Sequence, residues 1–147
     1  MPGAFQFRLQ RVLDYRTQLE EQAKIALAGA RRERQAQADA LADLKRRLEV
    51  HEAKLYAERE LTVDDIWLWR LYKERLQFDI KKAEFRLLAL SKKVSRRRRE
   101  LVAKSKDRKL LEKLKTNQAV KFRVEENLKE QSESDEMATL RYQYGNI

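Results

Sequence analysis

Apolar residues return along this chain in alternating steps of four and three. From Leu9 the steps fall on Leu13, Arg16, Glu20, Ala23, Leu27, Ala30, Arg34, Gln37, Leu41, Leu44, Leu48, His51 and Leu55. Nine of these fourteen positions are Leu or Ala, which is the seam of a coiled-coil helix with a polar interruption in its middle. The rhythm stops between Glu58 and Ile66 and then resumes. The second run passes through Ile66, Trp69, Lys73, Leu76, Ile80, Ala83, Leu87, Leu90, Val94, Arg97 and Leu101. It fades through Lys104 and Arg108 and touches Leu111 and Phe122.

Between the runs, Thr62 stands three residues before Asp65, with Asp64 beside it. A hydroxyl that accepts a backbone N–H, followed by a carboxylate in the positive first turn, marks a helix start. The pattern predicts helix one over about 5–58, a turn at about 59–63, helix two over about 64–131, and a tail at 132–147 that is helical and fraying or disordered. At about 1.5 Å per residue the helices would be roughly 80 and 100 Å long. Neither buries its stripe alone, and a short connection makes them antiparallel neighbours. The predicted fold is therefore all-α: one domain, an elongated two-helix antiparallel coiled-coil hairpin with unequal arms. Phe7 then lies near Lys115, and everything beyond about Ala119 overhangs. The small Ala23, Ala26 and Ala30 face the bulkier Leu90 and Val94.

Composition agrees with long helices. Of 147 residues 39% are charged, and there are only three glycines and one proline. Between residues 4 and 144 the single helix-weakening residue of that kind is Gly29. The chain has no cysteine, so it has no disulfide, thiolate metal site or thiol nucleophile. Its first residues lack the apolar core of a signal peptide, and no apolar run approaches the ~20 residues that span a bilayer.

Helix two carries a second apolar stripe. Leu71, Phe78 and Phe85 are seven apart and face away from the seam, with Trp67 and Leu88 beside them. In a plain hairpin that line is charged. The stripe is expected either to dock a partner or to lie under another part of the chain.

Charge is also uneven. The chain carries a net charge of +10, yet residues 91–123 alone hold fourteen Lys and Arg against Glu100, Asp107 and Glu112. Consecutive Arg96, Arg97, Arg98 and Arg99 spread around about 300° of the helix. That distribution suits an acidic ring, channel or general electrostatic steering better than one-sided reading of a groove. Its plain alternative is a solvated basic face. Beyond it the tail turns acidic, with Glu125, Glu126, Glu130, Glu133, Asp135 and Glu136.

Clustered cations also bind phosphate non-specifically, but no zinc-ligand, helix-turn-helix or RNA-recognition pattern accompanies them, so nucleic acid is not the expected partner. Catalysis is not expected either. His51, the only histidine, falls on the seam between Leu48 and Leu55, where it reads as a polar spacer that fixes register. No glycine-rich phosphate loop is present, and neither a cofactor nor a metal site is expected.

Both ends of the chain resemble the FliJ family of flagellar type III export proteins. The likeness rests on Phe5-Gln6-Phe7-Arg8-Leu9-Gln10-Arg11-Val12-Leu13-Asp14-Tyr15-Arg16, and on Leu111-Glu112-Lys113-Leu114 followed by Glu130-Gln131, Asp135-Glu136, Ala138 and Arg141. It covers essentially the whole chain. The stalk protein of virulence-type secretion systems has similar architecture, and a generic coiled-coil adaptor would show the same pattern.

The resemblance implies a cytoplasmic stalk, peripheral to the inner membrane at the flagellar base. Its partners would be the flagellar export ATPase hexamer, the cytoplasmic region of the export gate membrane protein, and export chaperones. Membrane contact would come only through partners. Combined with the residue pattern, it assigns Phe5, Phe7, Arg96, Arg97, Arg98, Arg99, Lys109, Leu110, Leu111 and Leu114 to the ATPase ring. It assigns Trp67, Leu71, Phe78, Phe85 and Leu88 to the gate or a chaperone.

Overall fold

The structure, a computed structural model, describes residues 3–145. It contains α1 (Gln10–Ala57) and α2 (Val63–Gly145), and no strand among the described residues. The arms are unequal, 48 residues against 83. The chain groups into two compact units, one made of residues 22–102 and the other of the segments on either side of it.

The 22–102 unit is a helical hairpin. Its turn, residues 58–62, ends in the reciprocal cap that the sequence encodes. Asp65 N–H donates to the Thr62 hydroxyl and Thr62 N–H donates to the Asp65 carboxylate, both at 3.1 Å. These bonds satisfy two donors that a helix start leaves open, and Asp64 and Asp65 place negative charge at the positive helix end. The two helices run antiparallel, with Lys93 pairing with Glu33 and Gln37 donating to the Ala83 carbonyl.

The seam positions lie inward along both helices. Leu27, Leu41, Leu76, Ala83 and Leu90 are buried. Ala30 and Val94 are the most deeply buried, each 1% exposed, in a cluster with Leu27 and the partly buried Leu101. A small residue facing a β-branched one lets the helices approach closely there. Ile66, at the end of its stripe, is exposed.

In the other unit the start of α1 packs on α2, with the chain ahead of it in a different form. Helix α1 begins at Gln10 rather than near residue 5; residues 3–7 are not helical, and Gln10 N–H closes a turn onto the Phe7 carbonyl at 3.1 Å. Gln10 accepts from Lys115 at 2.7 Å, Phe7 is buried, and the Phe5 ring lies 5.7 Å from that of Phe122.

The seam of this unit is polar where the apolar rhythm fades. Arg16 pairs with Asp107, and Arg108 donates to Glu20, a buried carboxylate. Beyond that contact α2 remains helical to Gly145, past the stop near residue 131 that the pattern suggests, and its last turns are exposed throughout.

Candidate functional site

Two surfaces stand out, and both lie on α2. The first is the outward stripe in the hairpin unit. Because Leu76, Ala83 and Leu90 turn inward, residues 71, 78 and 85 must turn outward. Trp67, Leu71, Phe78, Phe85 and Leu88 are all exposed, Phe85 most at 77%. Ile66 and Leu68 widen the patch toward the turn. An apolar line of this length without a cover is the surface form of an unfilled helix contact.

The stripe starts beside an aromatic node. His51 and Trp69 are stacked with ring centroids 4.6 Å apart, and Tyr72 meets His51 edge-on at 4.5 Å. Lys73 sits 5.4 Å above the Trp69 ring and pairs with Glu52. His51 therefore has the packing of a seam spacer, with its ring engaged on both sides.

The second surface is basic. The structure sorts the cations of residues 91–123 by task. Lys93, Arg97, Arg108 and Lys115 are held by Glu33, Glu100, Glu20 with Glu112, and Gln10 respectively. The Arg108 guanidinium is raised from its ordinary value, chiefly by its hydrogen bond to Glu20 and next by the one to Glu112. By contrast Lys92, Arg96, Arg98, Arg99, Lys106, Lys109 and Lys113 are exposed. In the hairpin unit, Ser91, Lys92, Ser95, Arg96 and Arg99 line one shallow surface. In the other unit, Lys106, Lys109, Leu110 and Lys113 line a second, where Leu110 offers an apolar centre ringed by ammonium groups.

The remaining residues assigned to the ring have mixed settings. Leu110 and Leu114 are exposed, Leu111 is half-buried, Phe5 packs on Phe122, and Phe7 is buried. Sequence reasoning missed the Phe5–Phe122 clamp and the polar seam. The second had a readable signal, since Arg16 and Glu20 occupy seam steps of α1 opposite Lys104 and Arg108 on seam steps of α2.

Among the described residues no cluster of His, Cys, Asp or Glu is placed to hold a metal ion, and no helix is long and apolar enough to cross a membrane. The fold is all-α, two long helices packed on each other, consistent with a coiled coil. The chain matches the family described as flagellar FliJ protein over residues 5–146, and it belongs to that family. It is thus a protein related to flagellar export. No curated protein and no solved structure matches it significantly.

Proposed function

We propose that the chain is a stalk of the flagellar type III export apparatus that engages the export ATPase ring through its cationic α2 surface and the export gate or an export chaperone through its apolar stripe. The family membership supports the setting. The observation that carries the division of labour is the sorting of α2: exposed Arg96, Arg98 and Arg99 on one stretch, and exposed Phe78 and Phe85 on another. Clustered exposed cations steer a protein toward an acidic surface and set its salt dependence. Exposed aromatics at heptad spacing supply anchors for a partner helix or groove. Phe7, being buried, serves this function by holding the start of α1 on α2, while Leu110 and Lys109 meet the ring. The working location is the cytoplasmic face of the inner membrane at the flagellar base, reached through partners.

The test is direct binding of the purified ATPase ring to the wild-type chain and to an Arg96→Glu, Arg98→Glu, Arg99→Glu variant. The variant is expected to lose affinity steeply at low salt, with helicity unchanged. Equal affinity at low salt removes the ring assignment.

A further inference from the structure

Along α2 of the second unit a separate heptad line runs on the side opposite the one that meets α1. Leu111, Lys115 and Phe122 face inward, whereas every position from Leu110 to Tyr142 at steps of four and three is exposed. That line spans about 50 Å of helix. It includes Leu110, Val124, Leu128 and Tyr142, each more than half exposed. Part of it forms a shallow surface lined by Leu128, Gln131, Asp135 and Leu140 among others.

The charge of this helix changes sign once. Residues 104–123 hold eight Lys and Arg against two acids, and residues 124–143 hold six acids against two cations. The helix is therefore complementary to itself reversed. From this we infer that the exposed line is a self-association surface, on which a second copy of this chain lies antiparallel about a two-fold axis between Val124 and Leu128.

The side chains select the direction and match along the whole line in this register. In an antiparallel coiled coil the two seam positions of each heptad pair with each other. Centred between Val124 and Leu128, the seam pairs Leu110 with Tyr142, Leu114 with Ala138, and Val124 with Leu128. It pairs Asn117 with Asp135 and Lys121 with Gln131. Apolar meets apolar and polar meets polar at every step, and Asp135 sits one turn from Lys113 and Lys121 of the other copy.

Parallel pairing sets Lys121 on Lys121 and Asp135 on Asp135. Such pairing brings like charges together, which is unfavourable. The closed two-fold arrangement uses one patch on both copies, as isologous dimers do. Because Leu110 and Leu114 lie on it, self-pairing and the proposed ring contact would exclude each other.

Sedimentation equilibrium of the full chain tests this, with circular dichroism to confirm that each variant remains helical. Wild type is expected to dimerise, more weakly at about 0.5 M salt than at about 0.05 M because screening shortens the reach of the flanking charges. A Lys113→Glu, Lys121→Glu variant and an Asp135→Lys, Glu136→Lys variant are each expected to dimerise roughly tenfold more weakly or worse, since each sets like charge on like in both halves. Mixed together they are expected to regain a dimer, because each then offers the charge the other needs. Leu128→Asp is expected to weaken the dimer at both salt concentrations. A wild-type chain that stays monomeric at low salt overturns the inference, and so does a mixture that fails to restore what the separate variants lost.

Discussion

His51 and Trp69 exchange hydrogen bonds across the hairpin. The Trp69 indole N–H donates to the His51 carbonyl at 3.1 Å, and His51 Nε2 lies 3.0 Å from the Trp69 carbonyl oxygen. That oxygen is an acceptor, so Nε2 must carry the proton. The rings stack between the two bonds. Sliding one helix past the other by a turn would break both bonds and the stack together, so the pair pins the register near the turn. His51→Ala is expected to lower unfolding free energy by about 1–3 kcal/mol, combining a net hydrogen bond with an aromatic contact. Trp69→Phe keeps the ring and loses the donor, and should cost about 1 kcal/mol. Denaturant unfolding checks both, and an unchanged midpoint in both variants would mean that the register is set elsewhere.

How far this arrangement was legible beforehand depends on the kind of residue. The seam around Leu76, Ala83 and Leu90 was readable because apolar burial repeats with helical period, and the Thr62–Asp65 cap was readable because it is local. His51 was readable as a spacer, but its exchange with Trp69 was not, since it depends on which residues the turn brings opposite each other. The entry of α1 reads from the sequence as near residue 5 because Phe5 and Phe7 continue its apolar pattern; in the structure residues 3–7 are not helical, and Phe5 packs on Phe122 of α2. The continuation of α2 to Gly145 was obscured by a loss of apolar rhythm that reflects the absence of α1 alongside, not the end of the helix.

The Glu20–Arg108 contact makes the polar seam testable. Both side chains are largely covered, and Arg108 reaches Glu112 as well, at 2.6 Å. Removing one partner strands the other, whereas removing both does not. Arg108→Met is therefore expected to destabilise more than Arg108→Met combined with Glu20→Leu. The pH dependence follows from the direction of the Arg108 shift. A cation whose folded value is raised contributes fully below its unfolded value and is lost only as pH rises through the folded one. For arginine both lie above the working range. Wild type should therefore keep this contribution to pH 11, while Arg108→Lys should lose ground on it above about pH 10, where lysine begins to deprotonate. Thermal unfolding of the two chains from pH 7 to 11 measures the gap, and a gap that stays constant would show that the pair contributes no charge-dependent stability.

Neighbouring turns of α2 should respond in opposite ways to truncation. Leu76 is 4% exposed and Phe78 59%. Leu76→Ala removes buried volume and is expected to cost about 2–4 kcal/mol. Phe78→Ala and Phe85→Ala remove exposed rings and should change stability by no more than about 0.5 kcal/mol each. Their effect should appear in binding, as the loss of one partner with helicity intact. Unfolding of the Phe variants would show instead that the stripe is packed.

Gly29 and Ala30 offer the same contrast on α1, with a gain on one side. Gly29 sits in mid-helix with no positive φ, and a methyl group added there would meet only the Arg32 guanidinium, at 3.9 Å. The glycine therefore costs backbone entropy without using its conformational freedom. Gly29→Ala is expected to stabilise the chain by about 0.5–1 kcal/mol. Ala30, one residue on, has no such room, because its methyl group is closed in with Leu27 and Val94. Ala30→Leu must push the helices apart or force a strained side chain, at a cost of about 1–3 kcal/mol. Denaturant midpoints moving in opposite directions, with the slope unchanged, would establish that α1 approaches α2 most closely at Ala30 and not at Gly29.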